Sequence, residues 1–210
     1  MSRKKRTQIS SRKEPQQARS AELVTAILNA AAQVLAKEGA QRFTTARVAE
    51  KAGISVGSLY QYFPNKAAIL FRLQCNEWQQ TTELLRNILG DTRKPAPRRL
   101  RTLVHTFIRS ECDESAVRVA LDDAAPLYRD APEAKEAKAS SVQSIHLFMR
   151  EVLPKASKAR RSLAGEIITT TLATAGKQFS ETPRTPAEIE NYANALSDMF
   201  CAYLESSQKG

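Results

Sequence analysis

Residues 43–66, FTTARVAEKAGISVGSLYQYFPNK, constrain the fold more than any other part of the chain. Thr44 is placed to cap a helix whose inner face carries Val48, Ala49 and Ala52. Gly53 comes next, and a glycine just past a helix end accepts the backbone conformation of a tight turn. Ile54 then points inward, Ser55 caps a second short helix, and Leu59 and Phe63 fall on its buried side. A small residue at 49, a glycine at 53 and an apolar anchor at 59 let two helices cross closely at a steep angle. That is the helix-turn-helix pattern, whose second helix enters the major groove of DNA. The residues this helix leaves outside are Val56, Gly57, Ser58, Tyr60 and Gln61, with no acidic residue among them.

The charge distribution agrees. The chain of 210 residues has a formal net charge of +10. Residues 1–66 hold 12 Lys/Arg against 4 Asp/Glu, and the rest hold 20 against 18. A basic first third on a near-neutral remainder is the footprint of a polyanion-binding head. Residues 1–19 are polar, basic and aperiodic, which predicts a disordered segment. Such a segment is either a solubility tail or, beside a helix-turn-helix, an arm that follows phosphates or enters the minor groove. No apolar run approaches the ~20 residues that span a bilayer, and the basic N-terminus has no hydrophobic stretch after it. No membrane association and a cytoplasmic location are therefore expected. Cys75, Cys112 and Cys201 are widely spaced with no C-x-x-C pair, so they read as buried thiols.

Helical periodicity covers the remaining chain and nothing in it suggests a strand; the expected class is all-α. A first long helix begins at Ser20, carries Leu23, Val24, Ile27, Leu28, Ala31, Val34 and Leu35, and closes at Gly39. Pro64 stops the second helix of the motif. Asn65 caps a fourth helix with Lys66 in its first turn, running to Leu89. At 1.5 Å per residue it would reach roughly 36 Å, enough to link a head to a separate body. Further helices are expected at about 98–112, at 114–125, from a cap at Asp130 with Pro132 in the first turn to Leu153, and from Ser157 to Phe179. The last opens on Thr185-Pro186-Ala187-Glu188, a capping box with proline at the first helical position. The helix after Ser157 has two apolar-to-small faces, one of Leu163, Ile167, Thr170 and Thr174 and one of Ile168, Leu172, Ala175 and Phe179, which suits two neighbours. The last helix carries a stripe of Ile189, Tyr192, Ala193, Leu196, Met199, Phe200, Tyr203 and Leu204, which serves either the chain's own core or a partner.

The run T-T-x-x-V-A-x-x-A-G-I-S-x-G-S-L-Y-x-Y-F-x-N-K resembles the tetracycline-repressor (TetR/AcrR) family of bacterial transcription regulators, densely over about residues 20–75. The resemblance implies a DNA-binding head at 20–66 and a ligand-binding and dimerisation body at 67–206, with the basic, disordered arm read from composition at 1–19 ahead of them. It implies that Thr44 and Thr45 approach phosphates. Val56, Gly57, Ser58 and Gln61 then lie at the bases, with Gln61 suited to adenine and Val56 to a thymine methyl, and Ser55 is counted with the DNA-facing set. Tyr60, Tyr62 and Lys66 would hold the DNA backbone, which positions without specifying. Ala46 stands where some members carry a base-reading arginine; Arg47, one residue on and about 100° further round the helix, is counted with the DNA-facing set. The family packs its last two helices against those of a second subunit. This makes Leu163, Ile167, Thr170, Thr174, Tyr192, Leu196, Met199, Phe200 and Tyr203 the expected dimer interface. The family also encloses a small-molecule cavity in the body, for which Trp78, Val104, Phe107, His146 and Met149 are the expected walls. Without the resemblance, Trp78 reads as a core residue and His105 and His146 as ordinary surface or core histidines.

The sequence has no Gly-rich phosphate loop, no H-E-x-x-H, no G-x-S-x-G and no His/Cys cluster with metal spacing. Asp122 and Asp123 are adjacent, and neighbours on a helix point about 100° apart, so they do not converge as an acid/base pair. An enzyme, a metal site and a cofactor are not expected. The reading is a homodimeric, ligand-responsive regulator of double-stranded DNA, most simply a repressor. The competing class is an architectural or nonspecific nucleic-acid binder without an inducer.

Overall fold

The computed structural model describes residues 18–127 and 141–209, and every regular element among them is helical. These residues divide into two compact units. One takes the chain up to Trp78 together with the segment from Ala116; the other takes Gln79–Ser115 and the described chain from residue 141 onward. Two of the helices, α4 (Lys66–Leu89) and α6 (Ser115–Ala124), straddle these divisions.

The first unit is built on α1 (Ala18–Arg42), α2 (Thr45–Lys51), α3 (Val56–Tyr62), the start of α4 (Lys66–Leu89) and α6 (Ser115–Ala124). The α1 stripe buries Ile27, Ala31, Val34 and Leu35 against Val48, Leu59 and Phe63 of the motif and Ile69 and Leu70 of α4. At roughly 1.5–3 kcal/mol per fully buried large aliphatic or aromatic side chain, this cluster holds the short α2 and α3, which are too brief to be stable alone. Helix α1 starts two residues ahead of Ser20 and continues past Gly39, where φ 71° and ψ 172° break its path. A Cβ at Gly39 would meet nothing within 4 Å. The glycine is therefore required by the dihedral angle and not by space. Gly53, at φ 68°, makes the turn between α2 and α3 in the same way. Helix α6 belongs to this cluster through Ala120, Leu121 and Ala124, and its Arg118 pairs with Glu77 of α4 at 3.3 Å. The first unit thus reaches beyond residue 66, the end of the head drawn from sequence.

The second unit centres on α5 (Ala96–Asp113), which packs on α8 (Lys158–Ser180) and α9 (Pro186–Lys209), while α7 (Ser141–Val152) lies on α8. Leu100, Leu103, Val104 and Ile108 of α5 are buried among Ile168 and Leu172 of α8 and Ala193, Leu196, Phe200 and Leu204 of α9. Gly176 of α8 lies tightly against α5: a Cβ there would stand 3.0 Å from Glu111 Cγ and 3.1 Å from Phe107 Cε1. Arg99 is among the largest fully buried side chains of the described residues. Its guanidinium donates to the Leu89 carbonyl, pairs with Glu151 of α7 and lies 5.4 Å from the Phe148 ring centroid. Helix α5 starts at Ala96, two residues earlier than expected, because Pro97 in its first turn has no N–H to leave unpaired. After α6 the chain makes a 3-10 turn over Ala125–Leu127 around Pro126. The expected cap at Asp130 and Pro132 lies outside the described residues. Ser157 caps α8 by accepting from Arg160 N at 3.2 Å. The capping box of α9 is complete: Thr185 N and Oγ1 donate to Glu188 Oε2 at 2.7 and 2.8 Å, and Glu188 N donates back to Thr185 Oγ1 at 3.3 Å.

Candidate nucleic-acid interface and cavity

The helix-turn-helix is assembled by side-chain caps at each start. Thr44 Oγ1 accepts from Arg47 N at 3.3 Å, and Ser55 Oγ accepts from Ser58 N at 3.0 Å. Asn65 Oδ1 accepts from Ala68 N at 2.9 Å, so the exposed Lys66 opens α4. The two motif helices are joined on the outside by the hydroxyls of Thr45 and Tyr60, 3.2 Å apart. Val56 and Tyr60 are 38% and 40% exposed, large side chains that a monomer core would have taken in. Gly57 and Gln61 stand with them in solvent, and a Cβ on Gly57 would meet only Ser55 Oγ at 3.7 Å. A partner can therefore approach this backbone closely. The hydroxyls of Ser55 and Ser58 lie 2.8 Å apart and share a hydrogen bond. α3 carries no charged residue at all.

Two residues of the DNA-facing set stand elsewhere than expected. Tyr62 is only 7% exposed and packs in the core of the first unit, because one turn of α3 places it beside Leu59 and not beside Tyr60. Arg47 is half exposed, but its guanidinium is paired with Glu38 at the end of the regular part of α1. Nothing in the sequence points to this partner, since the pairing depends on the break at Gly39, which has no periodic signature.

The second unit contains a cavity of about 510 Å³. Its walls come from α4 (Thr81, Leu85), α5 (Leu103, Phe107), α7 (Ile145, His146) and α8 (Ile168, Leu172 among others). Of the expected walls, Phe107 and His146 line it. Val104 and Met149 lie fully buried in the surrounding core without reaching the cavity surface, and Trp78 packs against the core of the first unit. The α8 contribution is visible in the sequence only as an apolar face, since periodicity tells that a face is covered but not whether the cover is tight.

The two faces of α8 separate cleanly. Ile168 and Leu172 enter the core, whereas Leu163 (54% exposed), Ile167, Thr170 and Thr174 face outward. On α9, Leu196 and Phe200, expected at a dimer interface, are buried in the chain's own core against α5, and Met199 is outside at 48% exposure. Tyr192 and Tyr203 are half-buried between these faces. Tyr192 stacks on Phe179 at 4.0 Å between ring centroids, with Arg184 over the other side of the pair at 4.5 Å from the Phe179 centroid. His105 ties α5 to α9 through Asn194 at 3.1 Å.

All three thiols are free of disulfides, and burial pushes each above its ordinary range, which keeps them protonated and poor nucleophiles. Among the described residues no group of His, Cys, Asp and Glu has the makings of a metal site, and no helix is long and apolar enough to cross a membrane.

Comparison with known proteins accounts for both units. Residues 27–73 match the profile of bacterial regulatory proteins of the tetR family, and residues 95–207 match the tetracyclin repressor-like C-terminal domain. The nucleoid occlusion factor SlmA of Vibrio campbellii is 37% identical over 84 residues; the match spans 39% of this chain and 42% of that protein, so the chain aligns with less than half the relative's length. The fold of the fatty acid degradation regulator FadR from Bacillus halodurans superposes with a TM-score of 0.67 at 16% identity, covering 89% of this chain and 96% of the other. NalD of Pseudomonas aeruginosa, the secondary repressor of the MexAB-OprM multidrug efflux pump, superposes with a TM-score of 0.60 at 20% identity over 89% and 97% of the two chains. With a helix-turn-helix head, a second all-helical unit and a family profile matched across each, this chain belongs to the TetR family of bacterial transcriptional regulators.

Proposed function

We propose that the protein is a ligand-released repressor that binds a palindromic operator as a homodimer in the cytoplasm. The observation that carries the DNA reading is the outer face of α3. Val56, Gly57, Tyr60 and Gln61 stand in solvent without an acidic neighbour on the helix, and the Thr45–Tyr60 hydroxyl pair fixes α3 against the start of α2. In this reading Gln61 and Val56 meet base edges, with Ser58 and the Gly57 backbone close to them. Thr44, Thr45, Tyr60 and Lys66 hold phosphates. Tyr62 has no part in it.

Dimerisation is supported by the outward face of α8, with Leu163 and Ile167, and by Met199 of α9. These large apolar side chains stand exposed on the described chain. Two copies related by a twofold axis would present two heads to related half-sites. The effector reading is supported by the cavity. Helix α4 carries Lys66 in its first turn and Thr81 and Leu85 on the cavity wall, so occupancy biases the head through this helix. Coupling of this kind is reciprocal and typically about 1–3 kcal/mol.

Selection of bound sequences from a random DNA pool tests the core of the reading. The expected result is an inverted repeat bound far more tightly than random DNA at physiological salt. Equal affinity for selected and random DNA would replace it with a nonspecific architectural binder.

A further inference from the structure

We propose that Gly165 of α8 sets the size of the apolar part of the molecule that the cavity in the second unit accepts, an amphipathic compound seated with that part on the buried floor and a polar group at the mouth. The proposal rests on the reading of this cavity as an effector site and concerns what selects its occupant. Among the described lining residues, Leu85, Leu103, Ile145, Gly165, Ile168 and Leu172 are buried, and none of them carries a polar side chain. The polar ones, Thr81, His146, Ser162, Glu166 and Thr169, are all at least partly exposed. Their hydroxyls donate as well as accept, and they stand beside both a carboxylate and an imidazole, so the mouth suits a polar group without fixing its charge. About 510 Å³ is within the range of small-molecule sites.

Neither the backbone nor the packing requires glycine at 165. The residue lies well inside α8, where glycine is among the least favourable residues and alanine the most favourable. Its φ is not positive, unlike those of Gly39 and Gly53. A Cβ there would stand 3.4 Å from Met149 Cγ and 3.5 Å from Ile145 Cγ1, ordinary van der Waals contacts with α7, whereas at Gly176 the same atom would be pressed to 3.0 and 3.1 Å from its neighbours. What a methyl group at 165 does take is space in the cavity that this residue lines. The glycine thus weakens the helix and leaves room for a bound molecule.

The para-alkylphenols from propyl to dodecyl enlarge an apolar body one methylene at a time, and their affinities are read by displacement of the neutral dye N-phenyl-1-naphthylamine, calibrated on each protein. The wild-type full chain should gain about fourfold in affinity per methylene until the phenol fills the cavity. Gly165→Ala should match it for the short phenols and fall about fourfold behind for the longest, one methylene's worth, while melting about 2–4 °C higher. A melting temperature below wild type would mean that packing does require the glycine. An affinity ratio that does not change with chain length would mean that the methyl leaves the cavity untouched. Either result overturns the proposal, and so does a wild-type chain from which no phenol displaces the dye. Adding each phenol to the operator complex keeps the two readings apart. Phenols that show the length-dependent ratio but never loosen DNA defeat the effector reading and leave the role of Gly165 standing. Phenols that loosen DNA with a constant ratio do the reverse.

Discussion

Tyr60 and Tyr62 stand two residues apart on α3 and end in opposite surroundings, one 40% and the other 7% exposed. Their substitutions should separate accordingly. Tyr60→Phe removes the hydroxyl that meets Thr45 and, in the proposed complex, a phosphate. Binding to all DNA sequences should weaken by roughly 0.5–1.5 kcal/mol in an electrophoretic or fluorescence titration, with little change in melting temperature. Tyr62→Ala should cost about 3–5 kcal/mol of stability, as large-to-small changes of buried aromatics do, seen in denaturant unfolding. Arg47 makes a related case. Glu38→Gln removes the carboxylate that pairs with it and takes one negative charge from the head, so affinity for random DNA should rise and its salt dependence steepen by about 0.9 in the log–log slope if Arg47 then neutralises a phosphate. An unchanged slope would mean that Arg47 stays away from the DNA backbone. The residues of the motif itself are readable in the sequence because capping, the turn glycine and the apolar anchor lie within a few positions of one another. Tyr62 is not, because the family's motif reads as a string of exposed positions, whereas helical geometry puts this residue on the turn with Leu59.

At the scale of elements, α8 and α9 show what an apolar stripe leaves undecided. Both stripes are helical as their spacing predicts, and on α8 the two faces divide as that spacing implies. On α9 the same spacing cannot say which apolar residues belong to the chain's own core, because Leu196 and Phe200 serve α5 as well as they would serve a partner. The test of dimerisation therefore belongs on the outer face. Ile167→Glu should leave a folded protein that light scattering reports as a monomer at micromolar concentration, whereas Phe200→Glu should unfold the chain, since an uncompensated buried charge costs several kcal/mol. A folded, dimeric Ile167→Glu protein would put the interface elsewhere. The start of α9 carries a pH dependence. Glu188 is held below its ordinary range first by the Thr185 backbone N–H, then by the Thr185 hydroxyl. A depressed folded-state value stabilises the helix start above the ordinary value of 4.5 and loses that contribution as pH falls below it. Amide exchange at Thr185 should therefore accelerate as pH falls below that value, relative to α9's interior, and Glu188→Gln should remove the dependence.

Over the whole molecule, the basic charge is concentrated in residues 1–66, and residues 1–17, outside the described chain, hold much of it. If they reach DNA, their deletion should flatten the slope of log K against log salt by about 0.9 for each phosphate they would otherwise neutralise, while leaving sequence preference intact. An unchanged slope would return them to the role of a solubility tail. The cavity lies at the opposite limit of what sequence shows. Its walls come from four helices spread between Thr81 and Ala173. A void has no residue pattern of its own, only a shortfall of volume between faces that each look like ordinary core. The close approach at Gly176 bears on that void from behind. Gly176 does not line the cavity, but a methyl group there would press on Phe107, which does. A single Gly176→Ala exchange would thus act as a set-screw, altering the room available to a guest while every group the guest touches keeps its identity. A comparison of wall residues alone would miss such an adjustment.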